Sequence, residues 1–116
     1  CKHKGVAGAL TDGPVRDTTR MQALGFKVFG VQTSPLDINS RYEVVEHNVA
    51  AEIDGVTINP GDLIVGDIDG VVIVPKAAID EVIARVEEKN SGENLFRKAV
   101  KDGMAPSEAF AKYGVL

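Results

Sequence analysis

A chain of 116 residues with 44% hydrophobic content is long enough for one domain around one core, and 5% aromatics with no tryptophan leave that core to Val, Ile, Leu and Ala. A formal charge of −4 without any basic block excludes the phosphate-neutralising mode of nucleic-acid binding. No apolar stretch approaches the ~18 residues of a membrane span, and a single cysteine excludes an internal disulfide, so we expect a cytoplasmic protein.

Cys1-Lys2-His3-Lys4-Gly5 reads as the last turn of a helix: basic residues suit a helix C-terminus, and glycine suits the left-handed closing position. A domain rarely starts that way, and we expect the chain to be the C-terminal portion of a longer protein. Residues 6–10 form an uninterrupted apolar run, expected to be a strand buried on both faces. Residues 18–24 predict a brief helix with Thr18 as cap and Gly25 as terminator. Residues 26–32 read as a second strand, and residues 33–41, with Pro35, Asp37, Asn39 and Ser40, as a polar loop.

Residues 42–49 are strand-like, with Tyr42, Val44 and Val45 expected to face inward. Another short strand is expected at 55–58. Asn59-Pro60-Gly61-Asp62 is a turn, because proline presets φ and glycine supplies a positive one. Asp69-Gly70 between the β-branched runs 63–67 and 70–75 predicts a hairpin that Pro75 terminates. From Ala77 the period becomes helical, with Ala78, Ile79, Val82, Ile83 and Val86 recurring on one side. Asn90-Ser91-Gly92 is expected to break or bend this helix before a second helical stretch over 93–102, capped by Gly103. A last helix over 107–112 closes at Gly114. Strands first and helices last predict an α+β domain with a largely closed sheet core.

The segment Thr11-Asp12-Gly13-Pro14-Val15-Arg16-Asp17 carries the chemistry. A strand that ends in a glycine-containing turn presents its next side chains at the sheet rim, within reach of a ligand. Arg16 offers a planar fork of donors for a carboxylate. Asp17 offers hard oxygens for Mg²⁺ or Mn²⁺. Together they suggest a site for a metal-bound small acid; the blander alternative is a solvated surface pair.

Several segments match one family in order and spacing: Gly5-Val6-Ala7-Gly8, Asp12-Gly13-Pro14-Val15-Arg16-Asp17, Gly25-Phe26-Lys27-Val28-Phe29, Pro35, Asn59-Pro60-Gly61-Asp62-Leu63-Ile64-Val65, Asp67-Ile68-Asp69-Gly70-Val71-Val72-Ile73-Val74-Pro75 and Phe110-Ala111-Lys112-Tyr113-Gly114-Val115-Leu116. The chain resembles, over essentially its whole length, the RraA-like family, which includes the 4-hydroxy-4-methyl-2-oxoglutarate and 4-carboxy-4-hydroxy-2-oxoadipate aldolases. The resemblance implies a single α+β domain over residues 1–116, a three-layer β/β/α swivelling-type fold. It also implies homotrimers or hexamers with sites between subunits.

The implied activity is divalent-metal-dependent aldol cleavage of 4-hydroxy-2-oxo acids, or oxaloacetate decarboxylation, giving pyruvate through a metal-stabilised enolate. The implied cofactor is Mg²⁺ or Mn²⁺, and the implied partner is a small 2-oxo acid, with no nucleic acid and no membrane. On the matching positions Arg16 would hold the pyruvyl group and Asp17 would coordinate the metal, partly through water. The family's non-enzymatic regulators, inhibitors of ribonuclease E, typically lack this aspartate, so Asp17 favours an enzyme. A non-catalytic regulator binding a protein partner such as a ribonuclease is the alternative.

The match has departures. In the family, a substrate-gripping loop of backbone amides and another acidic site residue lie upstream of the position of Cys1, so these 116 residues are expected to hold half a site. Lys27 stands where a proline is common. Family aldolases also take a carboxylate from a neighbouring subunit's C-terminal helix. Glu93 is the best positional match, and an ordinary i,i+4 pair with Arg97 is the other reading. Asp12, beside Gly13, is either a partner orienting Arg16 or a turn former. Asp62 and Asp69 are read as turn residues, and His3 and His47 lack ligand-like spacing. The missing glycine-rich phosphate loop argues against nucleotide or adenosylmethionine chemistry.

Overall fold

The computed structural model describes residues 1–114; Val115 and Leu116, the end of the closing motif, lie outside the described residues. The chain divides into two compact units, Cys1–Pro75 and the residues from Lys76 onward.

In the first unit Lys2–Lys4 form a single 3₁₀ turn that Gly5 closes at φ 77°, as the basic run and the glycine suggest. Strand β1 (Gly8–Leu10) pairs in parallel with β2 (Lys27–Phe29), matching Gly8 with Lys27 and Leu10 with Phe29. The helix α1 (Thr18–Ala23) joins them. It ends in a Schellman arrangement: the Gly25 N–H donates to Gln22 O and the Phe26 N–H to Met21 O. The Lys2 ammonium donates to the carbonyl of Leu24 at the same helix end.

Strands β3 (Ala51–Ile53) and β4 (Val56–Ile58) form an antiparallel hairpin through Asp54-Gly55, both at positive φ. Strands β5 (Leu63–Gly66) and β6 (Val71–Val74) form another, whose Asp67 N–H donates to Gly70 O at the tip. Between the hairpins, the Asn59–Asp62 turn closes by a 3.0 Å bond from Asp62 N–H to Asn59 O. The Asp62 carboxylate accepts the Asn59 N–H at 2.7 Å, so it does serve the turn. Gly66 is required by its neighbour: a Cβ there would stand 2.5 Å from Cζ of Phe29, so the ring lies directly on the glycine.

Three expectations about the strands need correction. Among the described residues the β structure comprises three two-stranded ladders, not one largely closed sheet. The 6–10 run is not buried on both faces: β1 starts at Gly8, and Val6 and Ala9 are exposed. Residues 42–49 form no strand among the described residues, and Tyr42, Val44 and Val45 are 75–87% exposed. Their β propensity finds no partner strand, and propensity without pairing does not make a sheet.

The second unit begins with a 3₁₀ turn at Lys76–Ala78 and continues as α2 (Ile79–Lys101). The expected interruption at Asn90-Ser91-Gly92 is absent: the helix runs through it without a break, with Ser91 Oγ donating to the Glu87 carbonyl at 2.9 Å. A local penalty of about 1 kcal/mol for a helical glycine is smaller than the cost of ending and renucleating a helix. Acidic Asp80 and Glu81 in the first turn and Lys98 and Lys101 in the last suit the helix dipole. The Gly103 N–H donates to Val100 O and the Met104 N–H to Ala99 O, a second Schellman closure. Helix α3 (Pro106–Tyr113) starts on a proline and closes at Gly114, φ 63°, whose N–H donates to Phe110 O. It packs on α2 and fully buries Ala109. No helix among the described residues is long and apolar enough to cross a membrane.

Candidate functional site

The Thr11–Asp17 segment is pinned to the extension of β2. The Thr11 N–H donates to Phe29 O at 2.9 Å, the Val15 N–H to Gln32 O at 2.8 Å and the Ser34 N–H to Val15 O at 2.9 Å. Val15 therefore forms a parallel bridge with Thr33 beyond the end of both strands. Thr11 tightens the turn, its Oγ1 accepting the Gly13 N–H at 2.9 Å. The two segments meet so closely at Gly30 that a Cβ there would lie 2.5 Å from Val15 Cγ2. This backbone carries Arg16 and Asp17 out past the carboxyl ends of the parallel β1–β2 pair, the end at which α/β sheets receive ligands.

Arg16 and Asp17 line an open depression of about 360 Å³ between residues 15–18 and 33–35. Asp17 is the N-cap residue of α1, displacing Thr18 from the expected capping position, and it adopts φ 60°, ψ 28°. Its carbonyl accepts the Met21 N–H at 3.0 Å, while its carboxylate makes no capping hydrogen bond. An N-cap aspartate ordinarily caps through its side chain. Here the left-handed backbone turns the carboxylate away from that task, leaving it 69% exposed.

Arg16 has one close partner, and it was not among the residues singled out from the sequence. Its Nη1 donates to Asp37 Oδ2 at 2.6 Å, whereas Nε stands 3.6 Å from Asp17 Oδ2, too far for a hydrogen bond. Asp37 Oδ1 in turn accepts the Asn39 N–H at 2.9 Å. That backbone bond first, and the Arg16 guanidinium second, hold the Asp37 carboxyl below its ordinary value. Nothing local marks Asp37 in the loop. The available signal was the parallel pairing itself, which returns the segment after β2 to the rim where the segment after β1 ends.

Gly13 lies in the turn that orients the segment, and Asp12 makes no hydrogen bond or ion pair with Arg16. Glu93 sits on α2 in the second unit, its Oε2 3.7 Å from Arg97 Nη2, the ordinary i,i+4 geometry. Among the described residues no group of three or more His, Cys, Asp or Glu side chains converges to hold a metal ion. What Asp17 provides is a single hard oxygen donor group. That suits Mg²⁺, which keeps several waters and takes one or two carboxylates.

The chain thus sets an arginine fork and an exposed carboxylate free of capping bonds side by side at the rim of a parallel strand pair. The sequence relationships give it a family: the RraA-like (Aldolase/RraA) pattern matches residues 1–73, and the chain belongs to that family. It is 33% identical over 109 residues to a Halalkalibacterium halodurans protein named "putative 4-hydroxy-4-methyl-2-oxoglutarate aldolase", covering 94% of this chain and 51% of that one. It is 37% identical over 102 residues to an uncharacterized protein of Methanocaldococcus jannaschii, covering 88% of this chain and 49% of the relative. The crystal structure of an uncharacterized Pseudomonas syringae pv. tomato protein superposes with a TM-score of 0.83 at 30% identity, over 90% of this chain and 52% of that one. The chain thus spans about half the length of the relatives it matches.

Proposed function

We propose that this chain carries the arginine–aspartate part of a divalent-metal-dependent carbon–carbon lyase that releases pyruvate from 4-hydroxy-2-oxo acids, from oxaloacetate, or from both. The observation that carries the reading is the exposed Asp17 carboxylate, free of any capping bond, beside Arg16 beyond the carboxyl ends of β1 and β2. Family membership and the aldolase name of the H. halodurans relative support it.

In this reading Arg16 binds the carboxylate of the 2-oxo acid through its guanidinium, a charge-assisted contact of about 1.5–3 kcal/mol. Asp17 would hold Mg²⁺ or Mn²⁺ together with water and the substrate's own oxygens. When bound, such an ion acts as a Lewis acid toward the charge that develops on the pyruvyl oxygen, a contribution of several kcal/mol. The reading is supported by the left-handed backbone at Asp17, where the carboxylate makes no capping bond to the α1 amides. Glu93, delivered from a neighbouring copy in a homotrimer or hexamer, is the proposed additional carboxylate, and the proposed setting is the cytoplasm.

The test is pyruvate release from oxaloacetate and from 4-hydroxy-4-methyl-2-oxoglutarate by the intact protein, with Mg²⁺ and after EDTA, beside Asp17→Ala. Loss of turnover on chelation and in the variant supports the lyase. Absence of pyruvate under every condition points instead to a regulator that binds a protein partner without turnover.

A further inference from the structure

Arginine has a long, mobile side chain, and an exposed guanidinium samples many rotamers unless something fixes it. Arg16 is only half-buried, and its sequence neighbour Asp17 stands too far away to restrain it by a hydrogen bond. Asp37 is as exposed as Arg16 but is tied to its own loop by hydrogen bonds. The Ser34 N–H is tied to Val15 O, Ser34 Oγ accepts the Leu36 N–H at 3.3 Å, and Asp37 Oδ1 accepts the Asn39 N–H at 2.9 Å. Its second oxygen is thereby presented from a hydrogen-bonded loop, at 2.6 Å from Arg16 Nη1. Both ends of the pair are anchored close to the same stretch of paired backbone, Val15 with Gln32 and Ser34. The other arm of the fork, Nη2, has no partner among the described residues.

We propose that Asp37 is the positioning residue for Arg16, its loop-anchored carboxylate holding one arm of the guanidinium so that the other is presented to the substrate carboxylate. The proposal rests on the lyase reading above for its substrate, not for its geometry. Asp37 touches neither substrate nor metal in this account; it acts by removing rotamer freedom from Arg16 before binding. Such preorganisation appears in substrate affinity more than in the chemical step.

The experiment compares wild type, Asp37→Asn and Asp37→Ala as intact proteins with oxaloacetate and Mg²⁺, and follows the Arg16 Nε–H resonance by NMR in the absence of substrate. Asp37→Ala is expected to raise KM about tenfold while kcat changes less than about threefold. Asp37→Asn keeps an oxygen for the Asn39 N–H but loses the charge-assisted bond, so an intermediate KM is expected. The Arg16 resonance should move to the position of a free arginine in Asp37→Ala and part of the way in Asp37→Asn. A wild-type KM in Asp37→Ala, or a fall in kcat alone, overturns the proposal. Wild-type behaviour of Asp37→Asn together with a poorly folded Asp37→Ala does so as well, because it assigns Asp37 to loop folding. If the wild-type protein releases no pyruvate, the lyase reading fails by itself. The resonance then decides Asp37, and an Arg16 signal unmoved in both variants overturns the pairing.

Discussion

Asp17 is a non-glycine residue in the left-handed region, and removing its side chain in two ways separates backbone strain from chemistry. Asp17→Ala and Asp17→Gly both delete the carboxylate. Neither removes a capping hydrogen bond, because none is made. Both lose the same favourable interaction of a negative charge with the α1 N-terminus, about 0.3–1 kcal/mol. They differ in the backbone at φ 60°, ψ 28°. An alanine Cβ is penalised there by roughly 1–2 kcal/mol, whereas glycine adopts the conformation freely at an entropic cost of about 0.5–1 kcal/mol in the unfolded chain. The glycine variant should therefore be the more stable of the two by about 0.5–1 kcal/mol, the reverse of their order inside a helix. Urea denaturation of the two variants, monitored by far-UV circular dichroism, measures the difference. An alanine variant as stable as the glycine variant, or more so, refutes the claim that Asp17 is held in a strained conformation. A stable glycine variant without turnover would place the stability and the function of this position in opposition, as expected where strain serves a site.

Three further outcomes are expected. Gly30→Ala drives a Cβ to within 2.5 Å of Val15 Cγ2, so it should destabilise the protein by about 1–3 kcal/mol and loosen the Arg16 segment, both measurable by denaturation and by amide exchange at Val15. Ser91→Ala lies on an exposed face of an unbroken helix and removes a side-chain bond to the Glu87 carbonyl, so it should raise stability by a few tenths of a kcal/mol; destabilisation would contradict the continuity of α2. The Asp37 carboxyl is held below its ordinary value, so its contribution to stability is present above the unfolded-state value and is lost as pH falls through the lower folded one. A ¹³C carboxyl titration should show this. Arg16→Gln should raise the Asp37 midpoint only part of the way, since the Asn39 N–H remains.

Much of the local structure was legible because it is written in residues with few conformational choices. Gly5, Gly25, Gly103 and Gly114 close their turns or helices with positive φ, and Asn59-Pro60-Gly61-Asp62 forms the turn its residues specify. The Arg16-Asp17 pair was visible for the same reason: an apolar run followed by a glycine-containing turn fixes where the next side chains emerge. Features that depend on partners were not legible. Tyr42, Val44 and Val45 have strand propensity but pair with no strand among the described residues. Asn90-Ser91-Gly92 carries breaker residues, yet their penalty is overcome by the cooperativity of a 23-residue helix. Asp37 sits 21 residues from Arg16, and only the parallel register of β1 and β2 makes them neighbours.

The most direct test of the account is metal-dependent pyruvate release from oxaloacetate and 4-hydroxy-4-methyl-2-oxoglutarate by the intact protein, run with Mg²⁺, with EDTA and with the Asp17→Ala variant. Pyruvate is expected from at least one substrate, abolished by EDTA, restored by excess Mg²⁺ and absent in the variant. Undiminished pyruvate in EDTA or from Asp17→Ala, or none from the wild type with either metal ion, Mg²⁺ or Mn²⁺, would contradict it.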